Sequence, residues 1–247
     1  MLGAVFREWL SWVYPFVCER CGRGGLDGTH VCPECRSRFV PIEPPFCAVC
    51  GEPAEGSFMP DALCSVCRES APAFEEARAV YVHEGELREL LLAFKYAGAV
   101  HLAGTFAGMM GEAVRSHPHW FGGKRRILVP VPMHRRKLIR RGYNQARELA
   151  VLLGRELDWP CAEVLKRLPD RSPQAALARE QRIRHARHSY AVNEWKMLRH
   201  PVQGRDVLLV DDIFTTGATA DACARLLLRA GAASVCVLTL ARHAWRG

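Results

Sequence analysis

The sequence predicts an α/β domain built on a mostly parallel sheet flanked by helices, preceded by a small cysteine-rich module. From residue 77 onward, apolar segments of strand length alternate with amphipathic segments of helix length. Four Cys-x-x-Cys pairs lie within the first 67 residues, where such alternation is absent. Strands and helices that alternate at these lengths are typical of a parallel sheet covered on both faces.

Three regions follow from this pattern: a short helix at 1–17, the cysteine-rich module at 18–68 and the α/β domain at 77–247. The first region is interrupted by Arg7 and Glu8 and has no small-residue cleavage site, so we do not expect a secretory signal peptide. We expect its helix to pack on the body of the protein, and an interfacial membrane helix is the alternative. The residues at helical spacing are Leu2, Val5, Phe6, Trp9, Leu10 and Val13.

Within the α/β domain, turn residues and hydrophobic periodicity divide the chain into elements. Gly98 closes one predicted helix, and Gly231 follows another as its C-cap. We expect strands at 77–85, 125–133, 207–212 and 234–242, and helices at 86–98, 101–117, 144–157 and about 218–230.

Eight of the eleven cysteines form the four pairs. Two Cys-x-x-Cys turns supply the tetrahedral thiolate set that zinc prefers, and a site filled by cysteine leaves no position for a reacting water. The sequence therefore predicts two structural zinc sites. Spacing favours two sequential ribbons, and a cross-braced arrangement is the alternative. The ligands are Cys18, Cys21, Cys32, Cys35, Cys47, Cys50, Cys64 and Cys67; Cys161, Cys223 and Cys236 are interpreted as buried small residues.

Charge and hydropathy limit the partners and the compartment. The formal net charge of +8 indicates polyanionic binding partners such as phosphates or nucleic acid, and a basic surface that binds neither is the alternative. No run of 18 uncharged apolar residues occurs, so we expect no membrane span. Without an export signal we expect the cytoplasm, where cysteines are more often metal ligands than disulfides.

The segment 207–222, VLLVDDIFTTGATADA, carries the main chemical signal. Asp211 and Asp212 end a buried strand, and ligands in such folds bind at strand carboxyl ends. The backbone N–H groups of 215–219 open onto a helix N-terminus and form an anion cradle, where Gly217 permits close approach. The carboxylates would accept hydrogen bonds from sugar hydroxyls or assist a cation. This combination predicts a ribose 5-phosphate site; a turn whose acids cap a helix is the alternative.

The densest basic run in the chain is HRRKLIRR at 134–141. A pyrophosphate group requires positive charge of this kind. A solvated basic face and a nucleic-acid patch are the alternatives for the same run.

These stretches carry a resemblance. VLLVDDIFTTGAT at 207–219 resembles the phosphoribosyl pyrophosphate (PRPP) motif of type I phosphoribosyltransferases, α/β enzymes that use a magnesium complex of PRPP. The four cysteine pairs, FKYAG at 94–98, VPVPMHRRKLIRRGYNQA at 129–146 and the PRPP motif occur in the order typical of the ComF (ComFC) competence-protein family. The resemblance covers nearly the whole chain.

The resemblance implies a role for each matched position. Asp211 and Asp212 would be the catalytic pair that binds the ribose hydroxyls. The phosphate would lie on Thr215, Thr216, Gly217, Ala218 and Thr219, and the pyrophosphate near Arg135, Arg136, Arg141, Asn144 and Gln145, with Lys95 also reaching the site. The arginine-rich stretch 167–185, which includes Gln174, is interpreted as a lid. The family pattern there ends in arginine followed by asparagine, whereas this chain has His185.

Three functions are consistent with these residues. The first is phosphoribosyl transfer from Mg-PRPP to an unidentified acceptor in the setting of DNA uptake and natural transformation. The second is a non-catalytic competence factor that binds single-stranded DNA beside the DNA-uptake machinery, using aromatic residues of the zinc module. The third is a PRPP sensor without turnover. The aromatic residues in or near the zinc module are Trp9, Trp12, Phe46 and Phe58, and buried packing is the favoured alternative for most of them.

Overall fold

The computed structural model describes residues 16–53, 62–169 and 189–243. Residues 1–15 of the predicted N-terminal helix lie outside the described residues, as do Trp9, Trp12 and Phe58; the last two predicted helical residues, 16 and 17, are not helical, and Phe16 instead forms a β-bridge with Leu26. The predicted lid beyond residue 169, with Gln174 and His185, also lies outside the described residues.

Six strands and eight helices are found in the described ranges. The strands are β1 (Glu76–Val82), β2 (Ile127–Pro130), β3 (Leu165–Arg167), β4 (Tyr190–Val192), β5 (Asp206–Phe214) and β6 (Ser234–Arg242). The helices are α1 (Pro33–Arg36), α2 (Ser65–Glu69), α3 (Gly85–Tyr96), α4 (Leu102–Ser116), α5 (Arg135–Arg141), α6 (Gln145–Leu157), α7 (Glu194–Arg199) and α8 (Ala218–Arg229), with a 3-10 turn at Trp120–Gly123.

The main sheet is parallel throughout and has the strand order β1-β6-β5-β2. Both of its faces are covered, as the sequence predicted. Along β5, Leu208 and Val210 pack into the apolar cluster that contains α3, α4 and α6, whereas Val207 and Leu209 pack into the cluster that contains α8. Alternate side chains of a strand point to opposite faces, so a continuous apolar run fits a strand buried on both sides.

The lone cysteines mostly follow expectation. Cys223 and Cys236 are buried in the core. Cys161 is only half-buried; its backbone bridges to Leu128 of β2, the edge strand of the main sheet. The prediction of a buried residue is therefore wrong for Cys161.

The two cysteine ribbons dock on different parts of the domain. The first ribbon contacts α4, where the backbone N–H of His30 donates to Thr105 Oγ1 at 2.9 Å and Arg36 pairs with Glu112 at 2.7 Å. The second ribbon contacts β1, where the Ala77 N–H donates to the Val49 carbonyl at 2.7 Å.

The segment between the ribbons lies along the outer edge of β1. The Ile42 N–H donates to the Val80 carbonyl at 3.0 Å, and the Val82 N–H donates to the Val40 carbonyl at 2.8 Å. Covering the edge of a sheet in this way satisfies its free backbone groups.

Two elements differ from the sequence prediction. Strand β5 continues two residues past Asp212, because β6 still pairs with Ile213 and Phe214. The basic run also forms helix α5, which is not among the predicted helices: His134 Nδ1 caps its start by accepting from the Arg136 N–H at 3.1 Å. Gly142 then ends this helix in the left-handed conformation.

No helix in the described ranges combines the length and the apolar character needed to cross a membrane.

Candidate functional site

The eight paired cysteines form two separate clusters in chain order. Cys18, Cys21, Cys32 and Cys35 form the first, and Cys47, Cys50, Cys64 and Cys67 form the second; within each cluster all sulfur atoms lie within 4.8 Å of one another. The sequential arrangement is therefore confirmed, and the cross-braced alternative is excluded.

The sulfur geometry suits zinc. Tetrahedral coordination with Zn–S bonds of about 2.3 Å separates the sulfurs by about 3.8 Å. The Sγ atoms of Cys21 and Cys32 are 3.7 Å apart, and those of Cys50 and Cys64 are also 3.7 Å apart. Both clusters thus have the donor set and spacing of a double zinc ribbon with two structural Zn²⁺ sites.

In each cluster, backbone N–H groups favour ionisation of one cysteine thiol. Burial opposes ionisation of Cys18, but backbone N–H groups outweigh it and lower the pKa of this thiol to about 6. The same balance lowers the pKa of Cys47 to about 7. Burial raises the pKa of Cys35 and of Cys67 well above the usual range. Zinc binding therefore releases protons from Cys35 and Cys67, which makes the affinity for zinc pH-dependent.

Asp211 and Asp212 lie at the carboxyl end of the sheet, beyond the last residue of β2. Pro130 of β2 pairs with Val210, so the β2 edge of the strand is free from Asp211 onward. The Asp212 N–H donates to Asp211 Oδ1 at 2.9 Å. Burial, and next the charge of Asp212, raise the pKa of Asp211 to about 7. Ionisation of both acids at once is therefore unfavourable, and a bound cation or a hydroxyl donor would stabilise the doubly ionised pair.

Lys95 neutralises the second acid. Its Nζ lies 3.0 Å from Asp212 Oδ1, and the two side chains are 18% and 10% exposed. The end of α3 is fixed next to it, because the Phe94 carbonyl accepts hydrogen bonds from Tyr143 Oη and from Gln145 Nε2, the latter at 3.2 Å. The position of Lys95 thus follows from the packing of α3 against the start of α6.

A pocket of about 260 Å³ brings most of the predicted site residues together. The predicted residues that line it are Lys95, Arg141, Asn144, Gln145, Asp211, Asp212 and Thr219. Arg135 instead lines a neighbouring cavity of about 450 Å³, and Arg136 is exposed on α5 and lines neither cavity.

Two of these residues are held by internal hydrogen bonds. Asn144 caps α6 by accepting from the Ala146 N–H at 3.2 Å, and its amide donates to the Val131 carbonyl at 3.0 Å. Gln145 accepts from Arg141 Nη1 at 3.1 Å. These bonds fix the chain that follows β2, so both side chains help to shape the pocket wall.

The loop 215–218 separates this pocket from another cavity. Thr219 lines the pocket with the aspartates, whereas Thr215 to Ala218 line a cavity of about 380 Å³ on the side of the second zinc ribbon. Among the residues that the structure describes, none accepts a hydrogen bond from the backbone N–H groups of Thr215, Thr216 or Gly217. These donors at the start of α8 are available to an anion.

The sequence reasoning missed several residues of the pocket. Tyr190 comes from β4, where its hydroxyl accepts from Arg167 Nη1 at 3.5 Å and its ring lies 5.4 Å from the Arg167 guanidinium. No local pattern marks Tyr190, because tertiary packing of β3 and β4 brings it in. Lys137 belongs to the predicted basic run, so that signal was available. The further lining residues with polar side chains are Tyr96, His134, Lys137, Arg167 and Tyr190, of which all but Tyr190 lie in the FKYAG, HRRKLIRR or 167–185 stretches.

Comparison with known families matches both parts of the chain. A family described as "Double zinc ribbon domain" matches residues 9–69. A family described as "Phosphoribosyl transferase domain" matches residues 141–246. The parallel sheet and the two four-cysteine clusters agree with these two descriptions.

Relatives of similar length extend the match to most of the chain. The "DNA utilization protein YhgH" of Escherichia coli (strain K12) is 31% identical over 232 residues, which cover 92% of this chain and 97% of that protein. The "Competence protein ComFC" of Bacillus subtilis (strain 168) is 28% identical over 224 residues, 86% of this chain and 84% of that protein. Among solved structures, glutamine PRPP amidotransferase from B. subtilis is 15% identical with a TM-score of 0.37, over 60% of this chain and 30% of that chain.

Proposed function

This chain belongs to the ComF family, with a double zinc ribbon joined to a phosphoribosyltransferase-like domain, and we propose that it binds Mg-PRPP and transfers the phosphoribosyl group to an acceptor during DNA uptake. The observation that carries the proposal is the pocket that holds Asp211 and the Lys95–Asp212 ion pair. Thr219 at the start of α8 and the basic helix α5 line this pocket, and loop 215–218 lines the neighbouring cavity.

The chemical groups of PRPP match the groups around the pocket. The two ribose hydroxyls would donate to the carboxylates of Asp211 and Asp212. The 5-phosphate would accept hydrogen bonds from the N–H groups of 215–219 at the start of α8. The pyrophosphate would lie toward Arg141 and Lys137, whose charges line the pocket from α5.

Transfer then breaks the bond between C1 of the ribose and the pyrophosphate oxygen, and forms a bond from C1 to a nucleophilic atom of the acceptor. The acceptor loses its proton to solvent. Lys95 holds Asp212 in place through their ion pair, so that the ribose is oriented while positive charge develops on its ring. Aspartate oxygens are ligands that suit Mg²⁺, which when bound would neutralise charge on the departing pyrophosphate.

The relatives support a setting for this chemistry. One is named a competence protein and another a DNA utilization protein. We therefore propose that this chain acts where imported DNA is handled, with PRPP and the DNA-uptake machinery as partners. Thiolate zinc sites are typical of a reducing compartment, which supports placing it in the cytoplasm.

Release of pyrophosphate tests the transfer step. Wild-type protein with Mg-PRPP and a panel of free nucleobases should release pyrophosphate with at least one of them, and Asp212→Asn should abolish the release. Asp206→Asn is the matched control, because Asp206 lies at the opposite end of the same strand. If the wild type binds PRPP but releases pyrophosphate with no acceptor, the sensor function replaces the transferase.

Helix α5 favours a second candidate, binding of single-stranded DNA. Arg136 and Arg140 are exposed on it, Ile139 is 73% exposed, and Tyr96 beside it is 64% exposed. Basic side chains with interspersed apolar and aromatic ones suit a single strand. An Arg136→Gln/Arg140→Gln variant should bind single-stranded DNA more weakly and with a shallower dependence on salt, since each lost phosphate contact reduces the slope by about 0.7. An unchanged salt slope would remove α5 from consideration.

A further inference from the structure

The second zinc ribbon and the phosphate loop share one cavity. Its walls include Cys50 and Cys64 of the second zinc cluster on one side and Thr215 to Ala218 on the other. The structural zinc site is therefore a direct neighbour of the loop to which we assign the 5-phosphate.

Arg242 connects the two walls. It is 2% exposed at the end of β6, and its guanidinium donates to the Cys50 carbonyl and to the Glu52 carboxylate of the second ribbon. The same guanidinium lies 5.0 Å from the centre of the Phe214 ring. One buried side chain thus contacts the backbone of a zinc ligand and the residue that precedes the phosphate loop.

Phe214 in turn supports the loop. Gly217 has a φ of +75°, and a Cβ atom on it would lie 2.9 Å from Phe214 Cζ, so the ring packs directly beneath this glycine. The Phe214 ring also packs edge-on against Phe74, with centroids 6.1 Å apart. The backbone carbonyl of Phe214 accepts a hydrogen bond from the His243 N–H at 3.0 Å. The Phe214 ring thus lies in contact with Arg242, Phe74 and the backbone of Gly217.

The first ribbon lacks this connection among the described residues. Its contacts go to helices on the other side of the domain, as in the bonds of His30 to Thr105 and of Arg36 to Glu112, and to Tyr81 of β1. Arg20 likewise pairs with Glu89 of α3 at 2.6 Å. The two zinc sites therefore serve as matched controls for each other.

We infer that the second zinc ribbon, acting through the positioning residues Arg242 and Phe214, holds loop 215–218 in its phosphate-binding conformation. Affinity for the phosphate end of the ligand then depends on the second zinc site and not on the first. The inference rests on the proposed function in one respect, the assignment of the 5-phosphate to this loop.

The test compares Cys64→Ser, which removes a ligand of the second site, with Cys21→Ser, which removes one of the first. The probes are ribose 5-phosphate and magnesium pyrophosphate, each titrated by calorimetry. Cys64→Ser should weaken ribose 5-phosphate by at least about tenfold, the effect of about one charge-assisted hydrogen bond. It should leave pyrophosphate unchanged, and Cys21→Ser should change neither probe.

Hydrogen exchange of the loop amides provides a second readout that needs no ligand. Amides 215–218 should exchange faster in Cys64→Ser than in wild type, and at the wild-type rate in Cys21→Ser. Equal effects of the two variants on the loop, or none, would overturn the inference. If the wild type binds neither probe, the proposed function fails, and the exchange rates still decide whether the ribbon holds the loop.

Two further variants test the connection if Cys64→Ser does not fold. Phe214→Leu and Arg242→Lys keep both cysteine clusters intact, so zinc content should stay at two ions per chain. Each should weaken ribose 5-phosphate and accelerate loop exchange, with Arg242→Lys the milder because it retains the charge. Wild-type values for both probes and for exchange in these two variants would contradict the role of Arg242 and Phe214.

Discussion

Lys95 Nζ lies 3.0 Å from Asp212 Oδ1, and this ion pair joins the end of α3 to β5 at the carboxyl end of the sheet. Both side chains are mostly buried, so each charge depends on the other to offset its loss of hydration. Asp211 beside it is the acid whose ionisation is opposed: burial, and next the charge of Asp212, raise its pKa to about 7.

Lys95→Met should destabilise the protein and weaken PRPP binding. Removing one member of a buried pair leaves an uncompensated charge, which costs about 3 kcal/mol of folding free energy. Denaturant unfolding measures this loss. Lys124→Met is the control, because the Lys124 side chain is 66% exposed and lies 4.0 Å from Asp206. Equal losses of unfolding free energy in Lys95→Met and Lys124→Met would show that the buried ion pair contributes no more to stability than an exposed one.

Asp211→Asn should make the protein more stable at pH 8 than the wild type. The folded-state pKa of Asp211, raised to about 7, lies above the unfolded value of about 4, so the folded wild type loses stability as pH rises between these values. The variant has no such group, and its asparagine still accepts from the Asp212 N–H.

The melting-temperature difference between Asp211→Asn and wild type should therefore be largest at pH 8 and shrink toward pH 5.5. Thermal unfolding at the two pH values measures it. A difference that grows toward acid pH would mean that the pKa of Asp211 is lowered, contrary to this account.

Gly217→Ala should disturb the phosphate loop more than its backbone conformation alone explains. Alanine with a positive φ costs about 1 kcal/mol, and at Gly217 the added Cβ also meets Phe214 Cζ at 2.9 Å. Gly204→Ala is the matched control, since Gly204 has a φ of +66° and nothing within 4 Å of the added atom. Denaturant unfolding and PRPP titration should separate the two variants. Equal behaviour of both would mean that the contact with Phe214 does not matter.

Zinc content should follow the cluster assignment. The wild type should carry two zinc ions per chain, one for each four-cysteine cluster. Cys18→Ser and Cys47→Ser should each reduce the content to one, whereas Cys161→Ser, outside both clusters, should retain two. Metal analysis of purified protein measures this. If either Cys18→Ser or Cys47→Ser loses both zinc ions, the two ribbons fold as one unit, contrary to this prediction.

The sequence predicted those features that depend on short spacing. Short local segments contain the paired aspartates, the Thr-Thr-Gly loop and the cysteine pairs, so their chemistry can be predicted without knowledge of the fold. Spacing favoured sequential pairing of the cysteines, but the cross-braced arrangement stayed as the alternative. Contacts at long range decided it: the Cys64 N–H donates to Cys47 Sγ at 3.3 Å.

The parts that the sequence did not reveal depend on packing between distant segments. Arg242 looks like the polar end of an apolar strand, yet it is buried because the second ribbon supplies acceptors 190 and more residues earlier in the chain. Tyr190 enters the pocket from a short strand with no distinguishing pattern. Helix α5 was missed because its seven residues present no buried face from which an apolar period could be read.

Calorimetric titration with Mg-PRPP is the most direct test of the central claim, that the pocket around Asp211 and Asp212 binds PRPP. The zinc-loaded wild type should bind with about micromolar affinity. The Asp211→Asn/Asp212→Asn variant should lose that binding, and Asp206→Asn should retain it. Absence of binding in the wild type, or equal binding in the double variant, would contradict the claim.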